Sequence, residues 1–209
     1  MAIIFRLSSC GLIWLRRCWE PEVLKEMSSH YEKKEPLSDD LIEKIVKSRY
    51  VNVGLFYLRQ LFFAKFDIKV HTDQQAADYT ALWNSMREET SLVKGGKPGP
   101  GQASFAHITG GYDAGYYGYT YSLVFAADMY ATVFKADPLD PARGRQYRDA
   151  ILKVGGSREE TDSLKVSFGS LTCFVYFCVY LSYQEFLGRP PNSEAFLKEL
   201  FGTVLSSNL

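Results

Sequence analysis

A mostly α-helical fold is the prediction, and three observations carry it. Apolar residues recur at helical spacing along most of the chain. Proline and glycine punctuate it at short, well-signalled connections. Neither a βαβ unit nor an internal repeat interrupts the series, so helices must pack on helices. The chain has 209 residues, enough for one ordinary domain or a large piece of one. Lys plus Arg and Asp plus Glu each number 24, so the net charge is zero, which argues against the basic face of a nucleic-acid binder.

The elements follow in order. Glu20–Lys33 reads as a helix: Pro21 suits its first turn, Val23, Leu24, Met27 and Tyr31 share a side, Lys33 and Lys34 suit the dipole at its end, and Pro36 stops it. Ser38 is placed to cap a second helix, with Asp39 and Asp40 in its first turn and Leu41, Ile42, Ile45 and Val46 at helical spacing as far as Ser48. Tyr50–Lys65 is apolar on nearly every side, which predicts a helix buried on several faces. Thr72 is a candidate cap for a helix over Asp73–Arg87 carrying Ala76, Ala77, Tyr79 and Trp83. Gly95–Gly101, GGKPGPG, is the strongest break in the chain, fit for a functional loop or a linker. Ser122–Lys135 reads as a helix ended by Asp137-Pro138, and Pro141 opens another through Tyr147, Ile151 and Leu152. Gly155 and Gly156 would end it, and Ser157 would cap the next.

The cysteines are Cys10, Cys18, Cys173 and Cys178. They form no CxxC pair and have no histidine at finger spacing, so reduced, mostly buried thiols of a cytosolic protein are expected. The histidines are His30, His71 and His107, and no H-E-x-x-H occurs. Two stretches require a membrane test. Ala2–Leu15 is short and broken by Arg6, with Arg16 and Arg17 on the wrong side for a signal peptide. Val166–Tyr183 carries no charge and as a helix would rise roughly 27 Å, close to the roughly 30 Å hydrocarbon core. Its aromatic, β-branched and Ser/Thr/Cys content is unusual for a span, and a membrane partner is not expected.

The informative region is Gly95–Tyr121. Tyr112, Tyr116, Tyr117, Tyr119 and Tyr121 sit among Gly110, Gly111, Gly115 and Gly118, with His107 and Asp113 nearby. Glycine lets backbone approach a ligand closely. A tyrosine hydroxyl can donate to an oxyanion, and histidine can do the same or carry a proton. Packed loops also use this composition, so composition alone leaves both readings open.

The pattern His107-x-x-Gly110-Gly111-Tyr112-Asp113-x-x-Tyr116-Tyr117-Gly118-Tyr119 resembles the loop of the thimet oligopeptidase, neurolysin and saccharolysin family of zinc metallopeptidases. The likeness extends over Cys18–Ser48, Arg59-Gln60, Tyr147–Ser157 and Glu185–Leu200. It implies the C-terminal helical portion of a zincin-type oligopeptidase, with short peptides as substrates or ligands. It implies His107 and Tyr119 as oxyanion or substrate-carbonyl contacts, and His107, Gly110, Gly111, Tyr112, Tyr116 and Tyr119 as the peptide-binding set. The family holds zinc through H-E-x-x-H and a downstream glutamate, where the metal polarises the carbonyl and acidifies its water. Those groups have no counterpart here, so the expectation is a C-terminal fragment with no metal ligands, inactive by itself. A non-catalytic peptide-binding module and a membrane-anchored helical protein are the alternatives. A cytoplasmic location is expected, with the mitochondrial intermembrane space as the alternative.

Two segments stand outside the resemblance. Residues 1–17 have no counterpart, residues 18–165 are the C-terminal part of a catalytic domain, residues 166–184 form an apolar insert, and residues 185–209 complete the domain. Removing Val166–Gln184 joins …TDSLK to EFLGRPPNSEAF… as a continuous end. Valine is encoded GTN and glutamine can be CAG, the two ends of a spliced intron, so the insert reads as intron retained in frame, with a membrane span and a buried insert in a soluble domain as the alternatives. Met1–Arg17 would likewise reflect a start inside an upstream intron.

Overall fold

Helices account for most of the computed structural model, which describes residues 12–13, 15–73, 78–153, 184 and 186–201. They are α1 (Pro21–Met27), α2 (Asp39–Ser48), α3 (Val53–Thr72), α4 (Tyr79–Ser91), α5 (Gly118–Met129), α6 (Pro141–Tyr147) and α7 (Glu194–Phe201). The mostly helical prediction therefore holds. The chain divides into two compact units, one of residues 47–120 and one of residues 1–46 with 121–209.

In the unit of residues 47–120, α3 and α4 pack side by side. Phe62, Phe66, Trp83, Phe105 and Tyr116 form its core, with Phe63, Ile108 and Tyr119 packed against them. Edge-to-face contacts dominate: Trp83 lies 4.7 Å from Phe62 and 4.9 Å from Phe66, at 75° and 83°. Such pairs add about 0.5–1.5 kcal/mol each beyond burial. On α3, Leu55, Phe56, Leu61 and Ile68 stay exposed, so this apolar helix is covered on one side only.

The other unit is built on α5. Ser122, Phe125, Ala126, Ala127, Asp128 and Met129 are all buried, and a π turn over Tyr130–Phe134 continues the helix. Ile13, Phe134, Tyr147, Ile151 and Phe186 join this core. Arg17 stacks its guanidinium 4.3 Å from the centre of the Phe134 ring. Arg16 pairs with Glu199, and Tyr130 donates its hydroxyl to Glu20 at 2.9 Å. Asp128 is 1% exposed and holds the segment before α7, accepting from Arg189 at 2.6 and 2.9 Å and from the Asn192 N–H at 2.9 Å.

Several boundaries differ from the sequence reading. Helix α1 stops at Met27, not Lys33, because Ser28 turns extended and its hydroxyl donates to the Lys25 carbonyl while accepting from the Leu37 N–H. Helix α3 runs on to Thr72, which donates to the Ile68 carbonyl within that helix and is not the cap of α4. The cap of α4 is Asp78, which accepts from the Thr80 and Ala81 N–H groups. Ser38 and Pro141 act as read: Ser38 accepts from Leu41 N–H, and Pro141 opens α6, whose cap is Asp140, accepting from Ala142 N–H. The Cys18 thiol is exposed, against the expectation of burial. Cys10, Cys173, Cys178, the Gly155–Ser157 junction and Val166–Tyr183 lie outside the described residues. Among the described residues no helix is long and apolar enough to cross a membrane.

Candidate functional site

Backbone turns set the Gly/Tyr loop before any side chain does. Two short 3-10 turns, Gly101–Ser104 and Ala106–Thr109, lead into it. The His107 carbonyl then accepts from both Gly110 and Tyr112 N–H groups at 3.3 Å, and the Tyr112 carbonyl accepts from Gly115 at 2.8 Å. Gly111 has φ +86°, a left-handed conformation that strains any residue with a Cβ. Gly110 is tight for another reason: an added Cβ would lie 3.0 Å from the Ala106 carbonyl oxygen.

This folding brings together His107, Tyr112, Tyr116 and Tyr119. The Tyr112 and Tyr119 rings stack at 5.1 Å and 14°. His107 meets Tyr112, Tyr116 and Tyr119 edge-on at 5.5, 5.1 and 5.9 Å. The four are not equally accessible. His107 is exposed and Tyr112 and Tyr119 are half-buried, whereas Tyr116 is 6% exposed and packs in the aromatic core. The Tyr116 hydroxyl donates to Gln60 Oε1 at 2.9 Å. Gly110 and Gly111 are exposed beside His107, and Asp113 points to solvent-accessible surface.

Burial pushes the Tyr119 hydroxyl well above the ordinary tyrosine range, and its hydrogen bond with Tyr112 and the proximity of Tyr112 and Tyr116 push it the same way. Burial raises Tyr116 too, opposed by the positive charge of Arg59. Both hydroxyls therefore keep their protons at neutral pH and remain hydrogen-bond donors. An array of protonated phenols and one imidazole around a glycine-lined backbone can donate to peptide carbonyls and stack against apolar side chains.

One residue escaped the sequence reading. Asp67 on α3 is fully buried, and its carboxylate accepts the Ala114 N–H at 3.0 Å and the Tyr116 N–H at 2.9 Å. The signal for it was present: an acidic residue inside the apolar run FFAKFDIKV must find donors to be buried at all.

The model of peptidase family M3 matches residues 16–173. The chain belongs to peptidase family M3. Saccharolysin of Saccharomyces cerevisiae is 43% identical over 186 residues, covering 87% of this chain and 24% of saccharolysin. Thimet-like oligopeptidase of Dictyostelium discoideum is 32% identical over 190 residues, 88% of this chain and 25% of that protein. Oligopeptidase A of Escherichia coli is 35% identical over 153 residues, 71% of this chain and 22% of that protein. The chain thus spans about a quarter of the length of the curated relatives it matches.

M3 peptidases are in general zinc-dependent, so the fit of a metal to these residues can be tested. Among the described residues no group of three or more His, Cys, Asp or Glu side chains could hold a metal ion. His30 uses Nδ1 to accept from the Glu32 and Lys33 N–H groups. His71 places Nδ1 2.7 Å from the Asp67 carbonyl oxygen, and His107 stands exposed and edge-on to tyrosine rings. The described residues of this M3 chain do not fit a zinc site.

Proposed function

We propose that this M3 chain is the substrate side of a zinc oligopeptidase without its metal site: in the cytoplasm it binds short peptides on the Gly/Tyr loop and does not cleave them by itself. The observation that carries this reading is the cluster of His107, Tyr112 and Tyr119 at the surface of a glycine-bounded loop, the Tyr112 and Tyr119 rings stacked at 5.1 Å. The absence of H-E-x-x-H from the sequence supports the second half. Tyr119 and His107 would meet the peptide carbonyl; Tyr112, Gly110 and Gly111 would line its path. Tyr116 contributes from below, by seating the loop on Phe63 and Gln60.

A fluorescein-labelled alanine–phenylalanine oligopeptide serves as the probe. Fluorescence anisotropy is expected to report binding, and Tyr119→Phe should weaken it about tenfold, the worth of one hydrogen bond made inside a site. Mass spectrometry of the same peptide after incubation with zinc should show it intact. Zinc-dependent hydrolysis by the purified chain would overturn the inactive half of this reading. Absence of binding would overturn the other half.

The apolar insert at residues 166–184 belongs to the same proposal, as intron-derived sequence foreign to the peptidase domain. Its flanks support this: Ile151 before it and Phe186 after it enter one core, with the Tyr147 and Phe186 rings 5.6 Å apart. A single membrane crossing would put those flanks on opposite sides of a bilayer, which disfavours the membrane-anchored alternative. A protein with Val166–Gln184 deleted is expected to melt no lower than the full chain. A drop of several degrees would mean that the insert is part of the folded unit.

A further inference from the structure

The glycines bend the Gly/Tyr loop, but a carboxylate from a distant helix holds it. Asp67 has both oxygens engaged, one by the Ala114 N–H and one by the Tyr116 N–H, across 47 and 49 residues of chain. The side chain is fully buried, and His71 Nδ1 lies 3.2 Å from Oδ1 on the same helix. Ala114 sits at φ +52°, a left-handed conformation that strains a residue with a Cβ. Something must hold the backbone there, and the Asp67 bond is made at that residue. Tyr112 and Tyr119 flank the two anchored amides, so their stacked rings take their positions from this attachment.

We propose that Asp67 is the positioning residue of the peptide-binding loop: it fixes the backbone at Ala114 and Tyr116 and thereby sets the surface formed by His107, Tyr112 and Tyr119. This rests on the peptide-binding reading above. The chemistry makes a sharp test. A carboxylate offers acceptors to both amides, whereas the same-shaped Asn offers one acceptor and turns an NH2 toward the other N–H. A residue that only filled space would tolerate Asp67→Asn.

Amide hydrogen exchange in the wild type should show Ala114 and Tyr116 protected at least about tenfold more than the exposed Gly111, since buried bonded amides exchange only through opening. In Asp67→Asn that protection should fall by about tenfold or more while Met129 and Phe134 in the other unit are unchanged, and affinity for the labelled oligopeptide should fall by a similar factor. Wild-type amides at Ala114 and Tyr116 as fast as Gly111 would overturn the anchor, whether or not the variant folds. Faster exchange in the variant with undiminished affinity would overturn the positioning role. If the wild type binds no peptide, the peptide-binding reading falls and takes the positioning role with it, while the exchange data separately decide the anchor.

Discussion

Replacing Phe66 by alanine is expected to remove about 3–5 kcal/mol of stability, the range for emptying a buried aromatic site. Phe66 is 1% exposed and meets Phe62, Trp83 and Phe105 at 6.3, 4.9 and 6.5 Å. Rings that interlock at edge-to-face angles cannot collapse smoothly into the space one of them leaves, so the cost should lie at the upper part of the range. The loss also reaches the Gly/Tyr loop, because the next residue is Asp67 and a shifted α3 would carry the loop anchor with it. Urea unfolding followed by circular dichroism measures the effect. A loss under about 1 kcal/mol, typical of a surface change, would mean that the aromatic cluster is not packed as described.

The second large effect belongs to the other unit. Asp128→Ala should cost about 3–5 kcal/mol, the usual result of breaking a buried charge pair from one side. The variant leaves the Arg189 guanidinium without its carboxylate and the Asn192 N–H without its acceptor. Arg189 retains partial solvent contact and a bond to Thr132 Oγ1 at 2.8 Å, which places the value at the lower end. The segment from Gly188 into α7 should then loosen first, so limited chymotrypsin digestion after Leu187 is the direct readout. Cleavage there as slow as in the wild type would argue that Phe186 and Phe196, both buried, hold the segment by themselves.

These two variants also mark where sequence reading stopped. Helices with conventional signals were legible: Ser38 before two aspartates, Pro141 opening α6, the apolar periodicity of α5. The loop residues were legible as a group because the His107–Tyr119 motif is long and specific. Their unequal exposure was not, since Tyr112, Tyr116 and Tyr119 look alike in sequence, and the partners on α3 decide which one is buried. The choice between Thr72 and Asp78 as cap was also beyond local reading. Both side chains can cap a helix; the extension of α3 claimed one and left the other. Asp67 and Asp128 are a different case. Each is an acid in an apolar helix, a pattern that requires a partner without naming it. Which backbone or arginine answers depends on chain packing tens of residues away.

That separation bears on how the loop comes to be formed. The bonds from Asp67 and Gln60 to the loop span 47 to 56 residues, and they can close only after α3 and α4 have docked and the entropy of that long closure has been met. The local bonds within residues 107–119 set turns, not the attachment that orders the rings. The ring cluster of the loop is therefore a late product of folding, written in helix α3 as much as in the glycines and tyrosines. A synthetic peptide of residues 107–121 carries the motif without the site.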